Sequence, residues 1–199
     1  MYEALVIGAS AGGLHALTSI LPQLPYDYPL AVLIVQHRCR QADSFLVDYL
    51  NEISAVRVKE AEPGELIRPA YAYIAPAGYH LLVERDKTLS LSIDPPVNYS
   101  IPSIDVLFQS AAASYKNHLI GLILTGANSD GSLGMKMIKD YGGLIIVQDP
   151  QTAEVDVMPK AAIARVVADK IIPIDTLGHY LAECDYMPEL SVTKDPLHE

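Results

Sequence analysis

The chain has 199 residues, 50% of them hydrophobic, and a formal net charge of −10 at pH 7. That is one domain's length with enough apolar material for a single core, which excludes a disordered chain. The acidic balance argues against nucleic acid as a partner, and no apolar run approaches the ~18 residues that span a bilayer, so no membrane insertion is expected.

The opening Met1–Gly8 lacks a basic n-region and a cleavage site, so it reads as a strand rather than a signal peptide, and the expected location is the cytoplasm. Glu3–Gly8 is the first strand and Gly12–Leu21 the first helix. Leu30–Gln36 is an unbroken apolar run, the pattern of a strand buried on both faces. Asp43–Ile53 reads as a second helix, N-capped by Asp43, with Phe45, Leu46, Tyr49, Leu50 and Ile53 on one face. Four short strand-like runs follow: Val56–Val58, Ala72–Ala75, Leu81–Glu84 and Leu89–Ile93, the last two paired as a hairpin. Pro102–Tyr115 is a helix with Ile104, Leu107, Phe108, Ala111 and Tyr115 on one side. Leu119–Thr125 is a buried strand, Gly131–Tyr141 a helix ended by Gly142 and Gly143, and Leu144–Gln148 a further strand. Pro159–Arg165, Ile171–Ile174 and Thr176–Ala182 complete a domain over 1–184, and 185–199 reads as a loose tail.

Strands alternating with helices imply a doubly wound, mostly parallel α/β sheet with helices on both faces, here with a small antiparallel hairpin added. Ligands in such sheets sit at the carboxyl ends of the strands, near the switch point. Attention therefore falls on the corners at 8–13, 36–40 and 125–131. In Gly8-Ala9-Ser10-Ala11-Gly12-Gly13, Ser10 is either the N-cap of the next helix or an exposed nucleophile beside N–H groups, Ala11's among them. Gly8, Ser10 and Gly13 also match a dinucleotide fingerprint imperfectly: serine replaces the middle glycine, and Gln36-His37 stands where an acidic residue belongs. His37, just past a buried strand, either ends that strand or accepts the Ser10 proton. Asp130 is either a helix N-cap or the carboxylate that orients the imidazole, and the Ala127 N–H is a second oxyanion donor. Cys39 beside His37 reads as a reduced thiol, and the two cysteines and six histidines lack metal-ligand spacing.

Taken together, Gly8-Ala9-Ser10-Ala11-Gly12-Gly13, Val35-Gln36-His37 and Leu124-Thr125-Gly126 with Asp130-Gly131 resemble the catalytic domain of the chemotaxis protein-glutamate methylesterases, CheB. Lys59–Glu65, Ala72–Pro76, Pro95–Asn98, Pro102–Phe108 and Met158-Pro159 are similar in order and spacing, so the resemblance covers about residues 3–183. It implies hydrolysis of glutamate γ-methyl esters on chemoreceptors or other sensory proteins, releasing methanol, together with deamidation of certain glutamines. It further implies Ser10 as nucleophile, His37 as base and then acid, and Asp130 as the group orienting His37, with no cofactor and no metal. A methyltransferase would be the natural counterpart.

The chain differs from the family's common form at several points. No receiver domain or linker is expected ahead of Met1, Tyr99 and Ile101 stand where arginine is common, and Ala127-Asn128-Ser129 varies. Arg38, Arg40, Lys136 and Lys139 either form a basic patch for an acidic receptor surface or are ordinary solvated charges. The alternative to an esterase is a catalytically silent binding or regulatory module with the same fold.

Overall fold

In the computed structural model, which describes residues 1–38 and 45–183, the unbroken apolar runs become the centre of a seven-stranded sheet. Strands β1 (Ala4–Ala9) and β2 (Ala31–Gln36) are buried along their whole length. Leu5, Ile7 and Ala9 point into one hydrophobic cluster, Ala4 and Val6 into another on the opposite face. A strand covered on both faces has no wet side, which is why its sequence does not alternate.

Helix α1 (Gly13–Ile20) follows β1, and α2 (Phe45–Ile53) follows β2. Then come β3 (Arg57–Glu60), β4 (Tyr71–Ile74), β5 (His80–Val83), β6 (Leu89–Ser92) and α3 (Ile104–Tyr115). The chain continues through β7 (Leu119–Ile123), α4 (Ser132–Asp140), β8 (Leu144–Gln148), α5 (Val157–Arg165), β9 (Lys170–Ile172) and α6 (Ile174–Glu183). The order across the sheet is β3-β4-β2-β1-β7-β8-β9, with every neighbour parallel. Helices α1, α2 and α6 cover one face, and α3, α4 and α5 the other. The doubly wound architecture and the β5–β6 antiparallel hairpin agree with the sequence reading.

The chain grows from β1 to one side through β2, then returns to the other side at β7, so β1 is the switch point. Register does the rest. Ala9 pairs with Gln36 and Gly8 with Ile123, so residues 10 and 37 leave adjacent strands side by side, and the β7–α4 loop leaves on the far side of β1.

The structure corrects the reading of α2. Val47 and Leu50 are its buried residues, with Leu46 and Ile53 packed against the core, whereas Phe45 is 61% and Tyr49 38% exposed. The two rings stack on each other instead, with centroids 5.8 Å apart. Apolar residues cover more than half of the helix surface, and the side bearing Leu46, Val47, Leu50 and Ile53 meets the core. Residues Cys39, Arg40, Asp43 and Cys184 and the segment 185–199 lie outside the described residues. No helix among the described residues is long and apolar enough to cross a membrane.

Candidate active site

Ser10 stands one residue past β1, His37 one residue past β2, and Asp130 in the turn before α4. The structure brings them into one hydrogen-bonded line. His37 Nδ1 lies 3.2 Å from Ser10 Oγ, and His37 Nε2 lies 2.9 Å from Asp130 Oδ2. A carboxylate only accepts, so Nε2 carries the proton and the Nδ1 lone pair faces the serine hydroxyl.

Ser10 does not cap α1. Gly12 occupies the N-cap position at φ +78°, a conformation that favours glycine, and no side chain bonds there. The Ser10 hydroxyl is thus left to His37. The N-cap reading of Asp130 is also set aside, because Gly131 holds that position on α4 with no side-chain cap. Asp130 instead sits at the start of a different helix. Its Oδ2 accepts the Ile104 N–H at 2.7 Å, and its Oδ1 accepts the Asp105 N–H at 3.1 Å and the Ser103 hydroxyl at 2.9 Å. Two orphan N–H groups at the positive end of α3 therefore converge on this carboxylate. Burial by itself would raise the Asp130 carboxyl, but the His37 N–H and the Ile104 and Asp105 N–H groups outweigh it and hold the carboxyl below the usual carboxylate range.

The reading from sequence missed the residues that brace this line. Gln36, buried at the end of β2, donates from Nε2 to Ser10 O at 2.9 Å and His37 O at 3.0 Å. A Cβ on residue 13 would lie 1.9 Å from Gln36 Oε1 and 2.9 Å from Ala9 Cβ, so Gly13 is required by close approach. Thr125 Oγ1 donates to Ala11 O at 2.8 Å and accepts from Val155 N–H at 2.9 Å, tying three loops together. Gln148, buried at the end of β8, accepts the Thr125 N–H at 2.8 Å. For Gln36 and Gln148 the available signal was one polar amide closing an otherwise apolar strand.

The Ser10 N–H is donated to Thr125 O and the Gly126 N–H to Val155 O, but among the described residues no hydrogen bond takes up the N–H of Ala11 or Ala127. Gly126 packs directly on the serine, since a Cβ there would come within 3.0 Å of Ser10 Cβ. The two unused donors thus follow Ser10 and its packing neighbour. The cations expected nearby are already engaged: Arg38 pairs with Glu60, Lys136 with Asp140 at 2.7 Å, and Lys139 with Asp169. They are not a vacant basic patch.

A family model described as CheB methylesterase matches residues 5–181. The chain belongs to the CheB methylesterase family. A protein of Leptospira interrogans serovar copenhageni is 47% identical over 184 residues, which cover 92% of this chain and 95% of that one. A Clostridium acetobutylicum protein named protein-glutamate methylesterase/protein-glutamine glutaminase is 40% identical over 176 residues; the match takes in 88% of this chain and 51% of that protein. The crystal structure of the Thermotoga maritima CheB methylesterase catalytic domain superposes with a TM-score of 0.87 at 35% identity, covering 92% of this chain and 98% of that one. The fold expected of a CheB catalytic domain is therefore the fold observed.

Proposed function

We propose that this CheB-family chain hydrolyses glutamate γ-methyl esters on a chemoreceptor or other sensory protein in the cytoplasm, and deamidates glutamines at such sites. Ser10, His37 and Asp130 act as its catalytic triad. The observation that carries this reading is the Ser10–His37–Asp130 line, with a hydroxyl, an imidazole nitrogen and a buried carboxylate in successive contact.

In the first step Ser10 Oγ attacks the ester carbonyl carbon while His37 Nδ1 takes the hydroxyl proton. The imidazolium that results is stabilised by Asp130, and the negative charge on the carbonyl oxygen meets the Ala11 and Ala127 N–H groups. Collapse of the tetrahedral intermediate breaks the bond to the methoxy oxygen, and Nδ1 returns its proton so that methanol leaves. Water then attacks the acyl-serine by the same route, restoring Ser10 and releasing glutamate. With a glutamine substrate the leaving group is ammonia. Every proton passes through Nδ1, the nitrogen that faces the serine. A methyltransferase that esterifies the same glutamates is the partner enzyme this reaction calls for.

Replacement of Ser10 tests the reading. Ser10→Ala should lower hydrolysis of a glutamyl methyl ester peptide by at least about a thousand-fold, and a fluorophosphonate should label the wild type at Ser10 alone. A Ser10→Ala protein with wild-type turnover, or a wild type that resists labelling, sinks the esterase in favour of a silent binding module.

A further inference from the structure

One buried carboxylate has no part in the steps above. Asp105, the second residue of α3, is 1% exposed. Its Oδ1 accepts the Gly134 N–H of α4 at 2.8 Å, and its Oδ2 accepts the Asn98 side-chain amide at 2.9 Å. Its own backbone N–H is donated to Asp130. The two helices are therefore capped crosswise: Asp130, from the turn before α4, caps α3, while Asp105, from within α3, caps α4. Each carboxylate lies at the positive end of the helix that the other precedes or belongs to.

This arrangement is expensive for an element that only packs. Burial pushes the Asp105 carboxyl above the usual carboxylate range, the Gly134 N–H works against that, and the Asp130 charge adds to it. Both Asp105 oxygens nonetheless accept N–H groups, as an ionised carboxylate does. Among the described residues no lysine or arginine pairs with it. The titratable groups facing the Asp105–Asp130 pair are His37 beside Asp130 and His80 of β5, whose Nδ1 accepts the Ser103 N–H at 3.1 Å. The positive charge that answers two buried carboxylates is the imidazolium that forms on His37 during the reaction.

We propose that Asp105 is a positioning residue: it fixes the Asp130 carboxylate against His37, and its charge helps the Ser10–His37–Asp130 line hold a proton on the imidazole. The proposal rests on the triad reading above. Asn98 completes the device. It lies in the turn 97–100, closed by Val97 N–H to Ser100 O at 3.1 Å and Ser100 N–H to Val97 O at 2.9 Å, and its φ of +50° is one that asparagine and aspartate adopt readily.

Two variants separate charge from packing. Asp105→Asn removes the charge and keeps the Gly134 bond through its amide oxygen, but its NH2 then meets the Asn98 NH2, and the second bond survives only if the Asn98 amide turns over. The double variant N98D/D105N restores both bonds with the charge moved outward to position 98. The readout is the pH dependence of two rates: glutamyl methyl ester hydrolysis and fluorophosphonate labelling of Ser10, alongside thermal melting. Asp105→Asn should lower both plateau rates about tenfold and move their acid limbs to lower pH, because a less stabilised imidazolium makes His37 a weaker base. The double variant should regain the wild-type melting temperature while its acid limbs stay displaced. Acid limbs at the wild-type position in Asp105→Asn overturn the proposal, as do limbs that return together with the melting temperature in the double variant. Should Asp105→Asn not fold, the double variant alone decides. Labelling without methyl ester turnover would fault the substrate reading and leave Asp105 to be judged on labelling. A wild type that is never labelled overturns both.

Discussion

At the scale of single residues, the orientation of one ring decides which atom moves the proton. His37 gives Nε2–H to Asp130 and turns Nδ1 to Ser10. An amide at position 130 would present an NH2 to Nε2 and favour the opposite tautomer, with its proton aimed at the serine. Asp130→Asn should therefore lower kcat by about 10³–10⁴-fold with KM little changed, as measured by steady-state kinetics on a methyl ester peptide. The same variant has a thermodynamic signature. The folded-state Asp130 carboxyl is held below its ordinary value of 3.8, so it contributes stability above that pH that is lost as pH falls through the folded value. Asp105 is shifted upward from 3.8 and works in the opposite sense, favouring the folded state as protons bind. Denaturant titrations between about pH 4 and about pH 2 should show the wild type losing more stability than Asp130→Asn, since only the wild type must protonate that carboxyl.

At the scale of elements, the site depends on how closely α3 and α4 approach. Gly134 makes this possible, because a Cβ there would stand 2.3 Å from Phe108 Cβ. Gly134→Ala gains about 1 kcal/mol of helix propensity. The overlap is with a Cβ rather than a flexible chain end, so the helices must separate, at a cost of about 1–3 kcal/mol. Repulsion wins, and melting should fall by a few degrees. The displaced N–H of residue 134 is also the donor to Asp105. Hydrolysis should therefore fall by more than the loss of folded protein explains, a comparison made at a temperature where both variants are fully folded.

At the scale of the whole molecule, charge sets the encounter with substrate. The chain carries a net charge of −10, and the lysines and Arg38 considered near the site are paired with carboxylates. An acidic peptide is repelled at long range. Raising ionic strength from about 20 mM to about 200 mM shortens the reach of that repulsion. It should increase kcat/KM for a methyl ester peptide with acidic flanks and leave an uncharged ester unaffected. A rate for the acidic peptide that does not rise with salt would show that some local attraction offsets the net charge.

Local chemistry was enough to read much of this protein. Apolar runs too continuous for half-exposed strands announced the buried sheet, and glycines with a serine, a histidine and an aspartate at strand ends pointed to Ser10, His37 and Asp130. These signals lie in consecutive residues, so the chain order carries them. Tertiary structure decided what depends on neighbours distant in sequence. It seated β3 and β4 at one edge of the parallel sheet, buried Val47 of α2 rather than Phe45 and Tyr49, and gave Asp130 the start of α3 to cap instead of its own helix. Gln36, Ser103, Asp105 and Gln148 follow the same rule. A lone polar residue acquires a role only when folding sets its partner within about 3 Å, and no periodicity along the chain encodes that distance.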